Sequence, residues 1–255
     1  MNRLRRHIAE IQLAFLLLTR LPAGRLTGTP PELAAASWAF PLAGLAVGCG
    51  IGGILIGFLL LGMPALLAAV LALAAGLVLT GALHEDGLAD CADGFGGGET
   101  RAQKLDIMKD SRVGSYGALA LIIIMVARIA ALSAFPADLN SLMLIISLAM
   151  TSRLNMIAFL AYLPAARTDG LGHSARSPNY LSVGIAAVLC VPALLYSSSL
   201  IIYALIATTA TALCFALFSR QQIGGQTGDV CGAAQILSET AGWLCLSALF
   251  TQAPF

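Results

Sequence analysis

Charge is the scarcest commodity in this chain. Of 255 residues only 11% are Asp, Glu, Lys or Arg, while 58% are hydrophobic. A soluble domain carries about 25% charged residues, so this composition excludes an ordinary soluble globule and belongs in a bilayer. Histidine is nearly absent, at three residues, and the six cysteines contain no C-x-x-C pair. That excludes the usual zinc sites and any evident disulfide framework, and Cys49, Cys91, Cys190, Cys214, Cys231 and Cys245 read as small apolar packing residues. The glycines of "GFGGGET" (94–100) lack a following GK[ST] and follow no strand, which argues against a phosphate-binding P-loop. No small-residue cleavage site follows the first apolar run, so a signal peptide is not expected. There is no repeat, low-complexity tract or long linker, and residues 1–255 are read as one integral membrane domain.

What the chain does have is long apolar runs. Stretches near 33–61, 64–83, 116–135, 138–162, 181–199, 200–219 and 233–250 reach the length of about 20 residues that a spanning helix needs. The expected fold is therefore all-α, a polytopic helical bundle of about seven spans. Residues 8–21 carry Glu10 and Arg20 and stop at Pro22, which suits an interfacial or re-entrant helix better than a span. Lysine and arginine are distributed on one side only. With the N-terminus (Arg3, Arg5, Arg6, Arg20, Arg25) in the cytoplasm, seven spans put 84–115, 163–180 and 220–232 there too. These segments hold Arg101, Lys104, Lys109, Arg112, Arg167, Arg176 and Arg220. The opposite loops, near 62–63, 136–137 and 196–200, hold no Lys or Arg, so the positive-inside rule places the N-terminus in the cytoplasm of a bacterial inner membrane.

Against this background, "LHEDGLADCADG" (83–94) gathers four acids and a histidine. Asp86, Asp90 and Asp93 stand at i, i+4 and i+7, on one face of a helix. Downstream, Asp106 and Asp110 are again four apart, with Arg101, Lys104, Lys109 and Arg112 close by. Adjacent carboxylates repel and destabilise the helix that carries them unless a cation lies between them. Hard divalent cations take such oxygen ligands, and Mg²⁺ commonly uses a few carboxylates plus substrate phosphates. Asp86, Asp90, Asp93, Asp106 and Asp110 are thus candidate Mg²⁺ ligands, and Lys109, Arg112 and Arg101 candidate phosphate binders. His84 is a candidate base. Asp229, in the polar "GGQTGDV" loop, either helps to shape the site or caps a helix. Arg128 and Arg153 lie within spans, where each either reaches a phosphate or pairs with an acid, and Glu239 is a similar but weaker case. A transporter with a metal-binding mouth is the rival reading. Transporters, however, place substrate charges near the bilayer midplane, whereas these acids collect at a membrane surface.

Five blocks carry a family resemblance: "FLLLTRLPAG", "FPLAGLAVG" at 40–48, "GALHEDGLADCADG" at 81–94, "IMKDSRVGSYG" at 107–117 and "GGQTGDVCGA" at 224–233. In that order they resemble the cobalamin synthases, or adenosylcobinamide-GDP ribazoletransferases, over most of the chain. Glu85 stands where that family commonly has an apolar residue, Cys91 where Thr is common and Asp106 where Glu is common. The resemblance implies a Mg²⁺-dependent membrane enzyme that joins adenosylcobinamide-GDP to α-ribazole or its 5′-phosphate and releases GMP. It also implies membrane lipid, a second copy of the chain or other corrinoid-pathway enzymes as partners, and no nucleic acid. A looser chemical likeness links Asp90, Asp93, Gly94, Asp106 and Asp110 to the CDP-alcohol phosphotransferases. By that analogy Asp110 is the first candidate for the base that activates the attacking hydroxyl, and His84 the second.

Overall fold

The structure, a computed structural model, describes residues 3–175 and 177–252, so Arg176, one of the cations counted above, lies outside the described residues. It is all-helical, and among the described residues the only β pairing is an isolated bridge between Ala165 and Gln226. In chain order the helices begin with α1 (Arg3–Leu18), the single turn α2 (Leu33–Ala36), α3 (Phe40–Leu60), α4 (Ala65–Thr80), α5 (Leu83–Gly97) and α6 (Arg101–Ile107). They continue with α7 (Ser115–Leu132), α8 (Leu139–Tyr162), the short α9 (Gly170–Ser174), α10 (Tyr180–Tyr196), α11 (Ile201–Ile223) and α12 (Gly228–Gln252).

Each of the seven apolar stretches is helical, but they are unequal. Leu33–Leu60, Ser115–Leu132, Leu139–Tyr162, Ile201–Ile223 and Gly228–Thr251 are long and apolar enough to cross a membrane. The bent pair α4–α5 makes a sixth span if counted as one, and α10, at 17 residues, is shorter. The N-terminal helix starts earlier than its apolar run, at Arg3, and ends at Leu18. It buries Glu10, which accepts hydrogen bonds from Arg6 Nε (3.0 Å) and Trp38 Nε1 (2.8 Å).

Close helix packing follows from small residues. Gly44, Gly48 and Gly52 recur every fourth position on α3 and lie against α8. A Cβ at Gly44 would come within 2.5 Å of the Ala149 carbonyl oxygen, and one at Gly48 within 2.8 Å of Ile146 Cα. Without a hydrophobic driving force between helices in lipid, such backbone approach is a main source of association.

α4 and α5 are set at 89° to one another. The break is made by two successive left-handed residues, Gly81 (φ 66°) and Ala82 (φ 57°), the second uncommon for a residue with a side chain. The carbonyl of Leu79, left without a helical partner at the break, accepts from the Arg20 N–H at 2.6 Å. As a result α5, with its acids, leaves the axis of the α4 span.

The charges within spans are paired. Glu239 on α12 receives Arg128 Nη2 at 2.9 Å from α7 and Arg153 Nη1 at 3.3 Å from α8, all three buried. Arg128 also stacks 4.1 Å above the Trp243 ring. Of the two roles open for these arginines in the sequence, the internal ion pair is the one the fold adopts.

Candidate active site

The site is built where α5 meets the start of α12. Gly87 makes that meeting possible, since a Cβ there would stand 2.7 Å from the Asp229 carbonyl oxygen. The contact carries Asp86 and Asp90, on α5, up to Asp229, on α12. The capping role open to Asp229 belongs to Thr227 instead. The Thr227 hydroxyl oxygen accepts from the Val230 N–H (3.2 Å) and donates to Asp229 Oδ2 (3.1 Å).

Asp86 and Asp229 line a cavity of about 250 Å³ that Arg167 and His84 also line. Arg167 Nη1 lies 3.6 Å from Asp229 Oδ2, and its Nη2 donates to the Leu105 carbonyl at 2.9 Å. The same side chain borders an open groove of about 520 Å³, shared with Arg101, Asp106, Lys109 and Asp169. Arg167 therefore stands between cavity and groove. The half-buried Asp90 carboxyl is pushed up to about 7, chiefly by burial and then by the negative charges of Asp229, Asp86 and Asp93, against the pull of Arg167. Three neighbouring carboxylates thus act on Asp90 against one arginine.

The other expected ligands are differently employed. Asp93 is on the same face of α5, but its carboxylate accepts from the N–H groups of Gly114 (2.7 Å) and Gly117 (2.8 Å) and so caps the start of α7. A Cβ on either glycine would collide with that carboxylate, which explains the glycines of "RVGSYG". The expected second acidic helix face is corrected by the structure. α6 ends at Ile107, and the Asp110 N–H closes a turn onto the Ile107 carbonyl (3.0 Å), so Asp106 and Asp110 do not share a helical face. Asp110 takes Arg112 Nη2 at 2.7 Å and Nε at 3.1 Å, and these hydrogen bonds hold its carboxyl below the usual range. It does not line the cavity. The run Asp110-Ser111-Arg112 is a turn before glycine, where a side chain bonds its own backbone more readily than it extends a helix.

The cations expected to hold phosphate divide as well. Arg101 donates to the carbonyls of Ile223 (2.7 Å) and Ala166 (2.9 Å) and so fastens α6 to two distant loops. Lys109 pairs with Asp169 at 3.1 Å across the open groove. Arg167 and Asp169 were not among the sequence candidates. Their segment, "PAARTDGLG", stands out as polar between apolar runs, but no local spacing ties it to residues 86–90 or 229. His84, by contrast, was a candidate and does line the cavity, only 2% exposed, with neither ring nitrogen hydrogen-bonded.

Among the described residues no three His, Cys, Asp or Glu side chains are gathered tightly enough to enclose a metal ion. That rules against a closed protein cage such as a structural site. Mg²⁺ does not require such enclosure, being usually held by one or two carboxylates with substrate phosphates completing its shell. The donors fit on chemistry, since Asp86, Asp90 and Asp229 offer carboxylate oxygens beside one another.

The fold and this site define a class, a polytopic helical membrane protein with an acidic pocket and an arginine at one end of its bundle. Residues 10–247 match the family described as cobalamin-5-phosphate synthase. The chain is 41% identical to the adenosylcobinamide-GDP ribazoletransferase of Azorhizobium caulinodans, covering 92% of this chain and 94% of that one. It is 42% identical to the protein of the same name from Mesorhizobium japonicum (95% and 94% covered). It is 41% identical to that from Bradyrhizobium diazoefficiens (92% and 92% covered). No solved structure matches it. The chain belongs to the cobalamin-5-phosphate synthase family and is a membrane enzyme of that family.

Proposed function

We propose that the protein transfers the adenosylcobinamide phosphoryl group from adenosylcobinamide-GDP to α-ribazole, or to its 5′-phosphate, with release of GMP and formation of adenosylcobalamin or its 5′-phosphate. The observation that carries this reading is similarity over nearly the whole chain, at about 40% identity, to proteins named for that transfer. It is supported by a cavity in which carboxylates and an arginine stand together.

In this reading a ribose hydroxyl of the acceptor attacks the phosphorus attached to cobinamide. The new P–O bond forms as the bond to GMP breaks, and the hydroxyl proton passes to a carboxylate. Asp229, at the cavity wall, is the carboxylate that takes it. Asp110, occupied by Arg112, is replaced in that role. Arg167, between cavity and groove, binds the pyrophosphate oxygens, with Lys109 reaching them from the groove once released from the exposed Asp169. Held by Asp86 and Asp90, Mg²⁺ would supply positive charge to the pyrophosphate and to the departing GMP. The membrane is the bacterial inner membrane and the N-terminus and site face the cytoplasm, a reading that rests on the Lys and Arg asymmetry of the loops. The test is GMP release by purified protein in liposomes, given both substrates and Mg²⁺, with and without EDTA. Mg²⁺-dependent GMP with an equal yield of cobalamin product is expected. No GMP from well-folded protein under any divalent cation would overturn the reading.

A further inference from the structure

The cavity beside the carboxylates is lined more by apolar than by polar surface. Leu17, Phe40, Leu83, Met156 and Leu160 line it together with His84, which also borders a smaller pocket shared with Glu85, Arg128, Arg153 and Glu239. Along α8 the lining runs from Met156 and Leu160 to Arg167 in the loop beyond, so the apolar part lies deeper in the bundle than the charged part. At about 250 Å³ the cavity falls just under the roughly 300–1,000 Å³ typical for drug-sized ligands, so it admits a compact ring system and excludes a corrin macrocycle.

His84 is the feature that apolar packing does not explain. Its side chain is buried, yet neither Nδ1 nor Nε2 has a hydrogen-bond partner. Buried polar atoms are nearly always paired, and an imidazole with both nitrogens idle marks the place of a missing partner. A neutral imidazole offers one N–H donor and one acceptor nitrogen. A ligand suited to this wall is flat, mostly apolar and carries one ring nitrogen able to accept.

We propose that the apolar part of this cavity, with His84 as its single polar contact, seats the bicyclic aromatic base of the acceptor nucleoside. The inference rests on the proposed transfer reaction. In a benzimidazole riboside one ring nitrogen bears the sugar and the other is a free acceptor, which the His84 N–H meets. Leu160 and Met156 pack against the base. The ribose then lies toward Asp86 and Asp229, where its hydroxyl is to be deprotonated, and the corrinoid stays outside, over the open groove. Purines differ by presenting several donors and acceptors, most of which a single imidazole would leave unpaired.

The test follows α-ribazole fluorescence anisotropy on purified protein in detergent, without corrinoid, for the wild type, His84→Phe and Leu160→Trp. Guanosine is the competitor, and each variant's thermal unfolding is checked. Saturable binding is expected in the wild type, weakened roughly tenfold by His84→Phe for one lost hydrogen bond. It should be lost in Leu160→Trp and remain indifferent to guanosine. In turnover the defect should sit in KM for the nucleoside and not in KM for adenosylcobinamide-GDP. If Leu160→Trp fails to fold, His84→Phe, close to histidine in ring shape, still decides. Absence of saturable binding to the wild type, equal binding in folded His84→Phe, or displacement by guanosine would overturn the base site. The binding readout needs no chemistry, so a wild type that binds α-ribazole but releases no GMP would sink the reaction and leave the base site standing.

Discussion

Two groups of charge in this bundle behave as opposites. Inside, Arg128 and Arg153 share the Glu239 carboxylate and the buried Glu85 lines the same small pocket, so two acids face two arginines, with Trp243 behind Arg128. At the open end Asp86, Asp90 and Asp229 face a single nearby arginine, Arg167, and remain in excess. The first arrangement is matched in charge without a ligand and ties helices α7, α8 and α12 together. The second is incomplete without one. A charge that its own protein balances is architecture, and a charge left unbalanced beside a cavity is where a substrate or cation belongs.

Breaking the inner group should have the largest effect on the fold. Glu239→Gln leaves two buried arginines without their carboxylate, and loss of one partner of a buried pair costs about 3–5 kcal/mol. Little folded protein is expected in detergent, as judged by size-exclusion profile and thermal unfolding. The outer group should respond the other way. Asp90→Asn removes one of several repelling carboxylates, so the unfolding temperature should hold or rise while turnover falls on the order of 100-fold, the scale of one electrostatic group at a reacting centre.

The contrast sharpens with pH. Because Asp90 is raised to about 7 from an ordinary carboxylate value, the folded state binds its proton more tightly than the unfolded chain does. The penalty for its charge is fully present above pH 7 and is relieved as pH falls from 7 toward 4. Metal-free protein in EDTA should therefore unfold at higher temperature at pH 5.5 than at pH 8, and Asp90→Asn should flatten that slope. Asp93→Ala lies between the two groups. It should cost about 1 kcal/mol, as loss of a helix cap does, seen as a drop of a few degrees in unfolding temperature. The smallest effect belongs to Arg112→Ala, whose partner Asp110 shares a solvent-exposed turn, and its unfolding temperature should match the wild type.

Much of this was legible in the sequence. Apolar runs located the spanning helices to within a few residues, and the i, i+4, i+7 aspartates do lie on one helix, α5. The second acidic pair misled, because four-residue spacing implies a shared face only while the helix continues, and α6 stops after Ile107. Asp93 looked like its neighbours and turned out to cap α7, a role visible only once Gly114 and Gly117 are seen to make room for it. Arg167 and the α5–α12 contact at Gly87 depend on residues some 60 to 140 positions apart in the chain. No periodicity encodes such a meeting.

The central claim, that the unbalanced acids and not the buried ion pairs do the chemistry, is tested most directly by GMP release from purified Asp90→Asn in Mg²⁺, alongside its unfolding temperature. The account predicts a protein at least as stable as the wild type that releases almost no GMP. Wild-type GMP release from that variant would contradict it.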